Sequence, residues 1–153
     1  MGLKAWLEEN PGLCLAALVA LTGLAATIEA VSRRRLRRAL RRLAAEWRMT
    51  YSACDRLRIA ARIAHKLSVP GAADVCVTDV IYGSLGDRYR YIFTVEFTIG
   101  VVRGKQRHVR VAAFGEARDR QSPEQVGPLS LAPENLPLVE QYRRLAPATA
   151  SAV

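Results

Sequence analysis

The sequence predicts an α+β chain. An N-terminal transmembrane helix continues into an arginine-rich amphipathic helix, and a small domain follows in which helices cover a three-stranded antiparallel meander. Three observations predict it. Residues 10–28 carry no charge. Seven arginines fall in the ten positions 33–42. From residue 74 to 115, apolar and polar side chains alternate between short turn sequences. The chain has 153 residues, half of them apolar and 24% charged, which gives room for one domain and hardly two. That mixture excludes a disordered, collagen-like or disulfide-framework chain. The net charge of +9 is unevenly spread, because residues 1–50 hold 9 basic and 4 acidic side chains and the other 103 hold 14 and 10.

The apolar run comes first. Its core, Gly12 to Ile28, is rich in Leu and Ala and free of proline. Its 17 residues rise roughly 25 Å as a helix, slightly under the ~30 Å hydrocarbon core of a bilayer. Snorkelling side chains and local thinning absorb such a mismatch, and Trp6 and the arginines stand where anchors belong. A buried helix of a soluble domain is the competing reading. It needs cover all round, which ~100 further residues can barely supply. A cleaved signal peptide fits poorly, since Glu8 and Glu9 occupy the segment that should be positive and arginines close the run. Myristoylation is disfavoured by Trp6, where Ser or Thr is wanted.

Arg33, Arg34, Arg35, Arg37, Arg38, Arg41 and Arg42 set the expected orientation. Basic residues flanking a span stay on the cytoplasmic side, so the amino terminus is expected outside and the rest of the chain in the cytoplasm. Leu36, Leu40, Leu43 and Trp47 recur at helical spacing through this run. An amphipathic helix with arginines on its open sides meets anionic lipid headgroups, at about 1 kcal/mol per basic residue. Nucleic acid is the competing partner, but no aromatic-interleaved basic surface accompanies the run. Within the span Ala16, Ala20, Gly23 and Thr27 line up as the small residues of a helix–helix seam, which would make a homo-oligomer. The expected organisation is a short extracytoplasmic segment at 1–11, a transmembrane helix at 12–31, a basic juxtamembrane helix at 32–48, the α+β domain at 49–146 and a disordered tail at 147–153.

In the domain, Ser52 and Asp55 resemble a helix start, and Leu57, Ala60, Ile63, Ala64 and Leu67 trace an apolar face, so a helix is expected over 53–67, ended by Pro70-Gly71. Arg56, Arg58, Arg62 and Lys66 read as its solvated side. Residues 74–82 form the first expected strand and 83–87 a turn. The clearest strand follows, with Tyr89, Tyr91, Phe93, Val95, Phe97 and Ile99 on one face and Arg88, Arg90, Thr94, Glu96 and Thr98 on the other. A turn at 103–105 leads to a third strand at 107–114. Short connections require antiparallel neighbours. Residues 118–133 read as a loop. A helix near 134–145 is expected next, capped by Asn135, with Pro137 in its first turn and Leu136, Val139, Tyr142 and Leu145 inward. The two helices are the lids for the single aromatic face.

The stretches LAAEWRMTYSACDRL, VPGAADVCVTDVIYG and RYIFTVEFT, within residues 43–115, resemble a pattern in uncharacterised bacterial membrane-anchored proteins. There a membrane helix leads into a small domain with a Tyr-Ser-x-x-Asp step and a strand pair. The resemblance implies a membrane-tethered domain of unknown activity and brings no functional residue with it. Arginine outnumbers lysine 20 to 3, which also suits a GC-rich bacterium.

No residue is singled out as catalytic, metal-ligating or cofactor-binding. His65 and His108 lack the context of a base or a ligand set. Residues 83–86 lack the lysine and hydroxyl of a phosphate loop. Asp74, Asp79 and Asp87 lack the spacing of a calcium loop and read as solvated or turn-capping. Cys14, Cys54 and Cys76 are odd in number without a C-x-x-C, and read as small semi-buried apolar residues. The expectation is therefore a non-enzymatic, single-pass protein of the inner (plasma) membrane, with no cofactor. Its partners are the lipid bilayer, anionic headgroups and an unidentified protein. The alternative is a membrane-tethered nucleic-acid-binding protein that uses the arginine helix.

Overall fold

The computed structural model describes residues 11–64, 66–67, 69, 71–100, 106–117 and 127–146. The expectations for Trp6, Glu8, Glu9, His65, Pro70, the turn at 103–105 and the tail at 147–153 lie outside the described residues. The chain divides into two compact units, Met1–Leu36 and Arg37–Val153.

The first unit consists, where described, of the opening part of helix α1, Pro11–Glu46. Pro11 is its first helical residue, where a missing N–H costs nothing. The large side chains Leu13, Leu15, Leu18, Val19, Leu21, Leu24, Ile28 and Val31 are all exposed. Thr22 and Thr27 donate their hydroxyls back to the Leu18 and Leu24 carbonyls, which satisfies both within the helix. As expected, the apolar stretch runs on into the arginine-bearing stretch as one helix.

The helix stops at Glu46 for a local reason. Arg48 adopts φ 53°, its N–H donates to the Ala45 carbonyl at 3.0 Å, and the Met49 N–H reaches the Ala44 carbonyl at 2.8 Å. This pair of bonds is a Schellman motif, with arginine at the position usually taken by glycine.

The second unit is built on an antiparallel sheet of order β1-β2-β3-β4-β5. Its strands are β1 (Thr50–Cys54), β2 (Ala72–Leu85), β3 (Arg88–Ile99), β4 (Gln106–Ala117) and β5 (Ser130–Leu131). The expected three-stranded meander is present as β2-β3-β4, and two strands extend it. β1 lies where a helix was expected to begin, with Tyr51 opposite Ile81 and Ser52 opposite Val80. Only α2, Ile59–Ile63, remains of the helix expected over 53–67. Asp55 does cap it, its carboxylate accepting from the Ile59 and Ala60 N–H groups at 2.8 Å each. The expected start at 53 thus moves to Ile59, and Ser52, the other half of the expected cap, lies in β1. β5 falls inside the expected loop at 118–133, of which 118–126 lies outside the described residues.

Residues 83–85 belong to β2, so the turn shrinks to Gly86-Asp87, with Leu85 opposite Arg88. Gly86 has φ 60°, the backbone that such a two-residue hairpin turn needs at its first position. Helix α3, Leu138–Arg144, is shorter than expected and starts from Pro137 without a side-chain cap. Asn135 therefore does not act as the cap. Cys54 and Cys76 are exposed rather than semi-buried, and only Cys14 is intermediate.

β3 alternates as expected. Tyr91, Phe93, Val95 and Phe97 join Ile59, Ile63, Leu67, Val77, Val80, Ala112 and Phe114 in one cluster beneath α2. Arg62 is no solvated residue. It pairs with Glu116 at 2.8 Å and lies 5.5 and 5.4 Å over the rings of Tyr91 and Phe114. The opposite face is not open either: Ile81, Ile92, Thr94, Val111 and Ala113 are buried there, as are Gln141 and Tyr142 of α3. Leu40, Leu43 and Ala44 of α1 are buried as well. Arg37 and Arg41 on the same stretch reach Asp79 and Tyr51, which places these leucines in the second layer. Two buried leucines contribute about 1.5–3 kcal/mol each, against at most about 1 kcal/mol for an exposed ion pair. Apolar packing therefore holds the end of α1.

Replacing Arg48 with glycine relieves the left-handed backbone. Arg48→Gly is expected to stabilise the protein by about 0.5–1 kcal/mol, read as a higher urea midpoint of the full chain in neutral detergent.

Candidate membrane interface

The candidate interface residues are carried on α1. Gly12–Glu46 is one helix near the N-terminus, long and apolar enough to cross a membrane, and none of its most apolar stretch is buried. Ala16, Ala20, Gly23 and Thr27 are all exposed. A Cβ added at Gly23 would meet nothing within 4 Å, and the Thr27 hydroxyl is already turned onto its own helix. The four positions are thus open among the described residues.

All seven arginines of the run are exposed. Arg33 pairs with Glu29 one turn earlier at 2.5 Å, where both side chains are solvated. Such a pair contributes only about 0.3–0.5 kcal/mol. The run is less uniform than its sequence. The Arg37 Nε lies 3.9 Å from an Asp79 carboxylate oxygen, and the Arg41 guanidinium lies 5.6 Å from the Tyr51 ring centroid. Two of the seven therefore have partners within the folded unit, which helical spacing alone could not reveal.

Asp79 is the centre of a polar node. It sits at a β-bulge, where Asp79 and Val80 together oppose Phe93, and its φ is 51°. The Tyr51 hydroxyl donates to its carboxylate at 2.5 Å. The Tyr142 hydroxyl donates to its backbone carbonyl at 2.5 Å and lies 2.9 Å from the Thr94 hydroxyl. Burial, then the hydrogen bond and charge of Asp79, push the Tyr51 phenol well above its ordinary range, while Arg37 and Arg41 pull the other way. Burial likewise pushes Tyr142 up, partly opposed by its bond to Thr94. Both phenols are thus held protonated, so the node is a clamp of donors and acceptors with no activated nucleophile. The sequence reading took Asp79 as solvated or turn-capping. The local hint was one acidic residue inside a β-branched run, since Asp tolerates the left-handed backbone better than its neighbours there.

Elsewhere, the His108 Nδ1 lies 2.8 Å from a Glu134 carboxylate oxygen, and its ring stacks 5.7 Å from that of Phe97. The bond to His108 holds the Glu134 carboxyl below its usual value. Among the described residues no three His, Cys, Asp or Glu side chains gather as a metal site. Asp74 sits at a second bulge with φ 53°. Comparison with protein-family models, with curated proteins and with solved structures returns no match.

The clamp makes stability sensitive to alkali. Unfolded chains release phenol protons near pH 10, whereas folded Tyr51, Tyr142 and Tyr91 retain theirs. Above that pH the unfolded state binds fewer protons, so stability falls as pH rises and is fully present below it. Tyr142→Phe is expected to cost about 1–3 kcal/mol at pH 8, because it strands the Thr94 hydroxyl and the Asp79 carbonyl, and to make the alkaline loss shallower. Thermal midpoints between pH 8 and pH 11 check both.

Proposed function

We propose that this chain is a single-pass protein of a bacterial inner membrane, amino terminus outside, that presents its small α+β unit in the cytoplasm for binding rather than catalysis. The carrying observation is the opening part of α1. Eight large apolar side chains there are exposed, and the arginine run begins five residues after Ile28. Each such side chain left in water forgoes about 1.5–3 kcal/mol of burial, which lipid would supply. The arginines stand where basic residues hold a span's cytoplasmic end. Their open guanidinium groups suit anionic headgroups, with Arg34, Arg35, Arg38 and Arg42 as the principal contacts because Arg33, Arg37 and Arg41 have partners in the chain. The folded unit is the part suited to a protein partner.

A second reading draws on the same exposed guanidinium groups: a nucleic acid tethered at the membrane. Counterion release would then make binding steeply salt-dependent.

The expected outcome of washing membranes with alkaline carbonate is that the chain stays in the pellet and leaves only with detergent. A reporter active only after export, fused behind Val153, is expected to be silent. Release by alkali overturns the span, and an active exported reporter overturns the orientation. Tight DNA or RNA binding that weakens steeply with salt, and is lost when the four arginines become glutamine, favours the second reading.

A further inference from the structure

We propose that the hairpin end of the sheet holds a binding cleft for a small organic oxyanion, a carboxylate or phosphoryl head on a compact apolar body. The register builds it. Arg90 lies opposite Gly115 and Ala113 opposite Ser130, while Leu85 pairs with Arg88 at the turn. Alternation along the strands therefore puts Arg88, Arg90, Gly115 and Ser130 on one face. Gly115 has no side chain, so a hollow remains beside Arg90. The segment entering β5 borders it, and the Gly127 N–H donates to the Gly115 carbonyl at 2.9 Å. A Cβ on Gly127 would sit 2.8 Å from that same oxygen, so only glycine lets the two backbones meet there. The resulting cleft has a volume of about 250 Å³, below the usual range for drug-sized ligands.

Its chemistry is one-sided. Arg88 and Arg90 line it together with Tyr89, Phe114 and Pro128, and among the described residues no acidic side chain lines it. The nearest carboxylate on β4, Glu116, is engaged by Arg62 at 2.8 Å. Arg90 is also set in place beforehand: its Nη2 donates to the Leu145 carbonyl at 3.0 Å, which fixes the guanidinium plane. Its Nε is buried with no hydrogen-bond partner among the described residues. A buried N–H on a charged group is rarely left unpaired, and the guanidinium fork matches the two oxygens of a carboxylate or phosphoryl group. A cleft whose described lining carries two cations and no carboxylate, and one orphaned donor on an arginine held in place, together point to an anion of this class. The cleft belongs wholly to the folded unit and does not depend on the membrane reading.

The test uses the full chain in neutral detergent with phenyl phosphate and benzoate as probes and benzyl alcohol as the uncharged control, followed by calorimetric titration. The expected result is one saturable site per chain for an anion and none for the alcohol. Arg90→Met is expected to weaken binding at least tenfold. Gly115→Leu is expected to abolish it, because a Cβ there meets only the Tyr89 carbonyl at 3.8 Å and the longer side chain fills the hollow. Circular dichroism verifies that each variant is folded. Should Arg90→Met fail to fold, Arg88→Met, at an exposed position, takes its place with the same expected direction. Arg56→Gln, at an exposed position outside the cleft, is expected to leave the affinity unchanged. Phosphatidic acid in the micelle that displaces phenyl phosphate assigns the phosphoryl head to a lipid, and failure to displace it assigns a soluble source; either result retains the cleft. No saturable anion binding, equal binding of the alcohol, or full binding kept in a folded Gly115→Leu overturns the proposal.

Discussion

β3 is buried on both faces. Ile92 and Phe93 are chain neighbours that point in opposite directions, and each is fully enclosed. A strand in this position cannot leave either side wet, so everything else in the folded unit answers to the need for two layers of cover. α2 supplies one layer and is held over Tyr91 and Phe114 by Arg62. The other layer combines α3 with the last turns of α1, whose Leu40 and Leu43 are buried. The arginine run therefore serves two purposes on one helix. Its leucines complete a core, and its guanidinium groups stay in solvent.

The bulge at Asp79 makes the second layer possible. One extra residue in β2 changes the alternation, so Val80 enters the cluster under α2 while Ile81, the next residue, is enclosed on the other face. The same bulge presents the Asp79 carboxylate to Tyr51 and Arg37 and its carbonyl to Tyr142. Four elements of the fold, α1, β1, β2 and α3, thus meet at one residue whose own backbone is in an unfavourable left-handed conformation. The conformation persists because the surrounding bonds determine it more strongly than its local preference does.

Legibility followed the range of the interaction. The apolar run, the arginine stripe and the alternation of β3 depend on spacing within one segment, and all three were readable. The helix near the C-terminus was readable for the same reason, though it is shorter than its pattern. β1 was misread because Ser52 and Asp55 have the spacing of a helix start, whereas Ser52 pairs within β1 and only Asp55 accepts from the helix. Nothing local says that Tyr51 will find Ile81 thirty residues on. β5 is two residues long and has no period to detect. Arg62 looked solvated because its helix was assigned a polar side without knowing that two aromatic rings and Glu116 lay below it.

By itself, the sequence determined the long apolar helix, the density and side of its arginines, and the strand pattern of the meander, since each is a periodic property of a single stretch of chain. Only the tertiary structure decided that both sheet faces are covered, that Arg37 and Arg41 have partners in the folded unit, and that Arg90 faces a glycine across a cleft. Those outcomes depend on pairing register and on burial by residues far away in the chain. A shift of one residue in the register of β3 would send Arg90 and the buried side chains of that strand to the opposite faces.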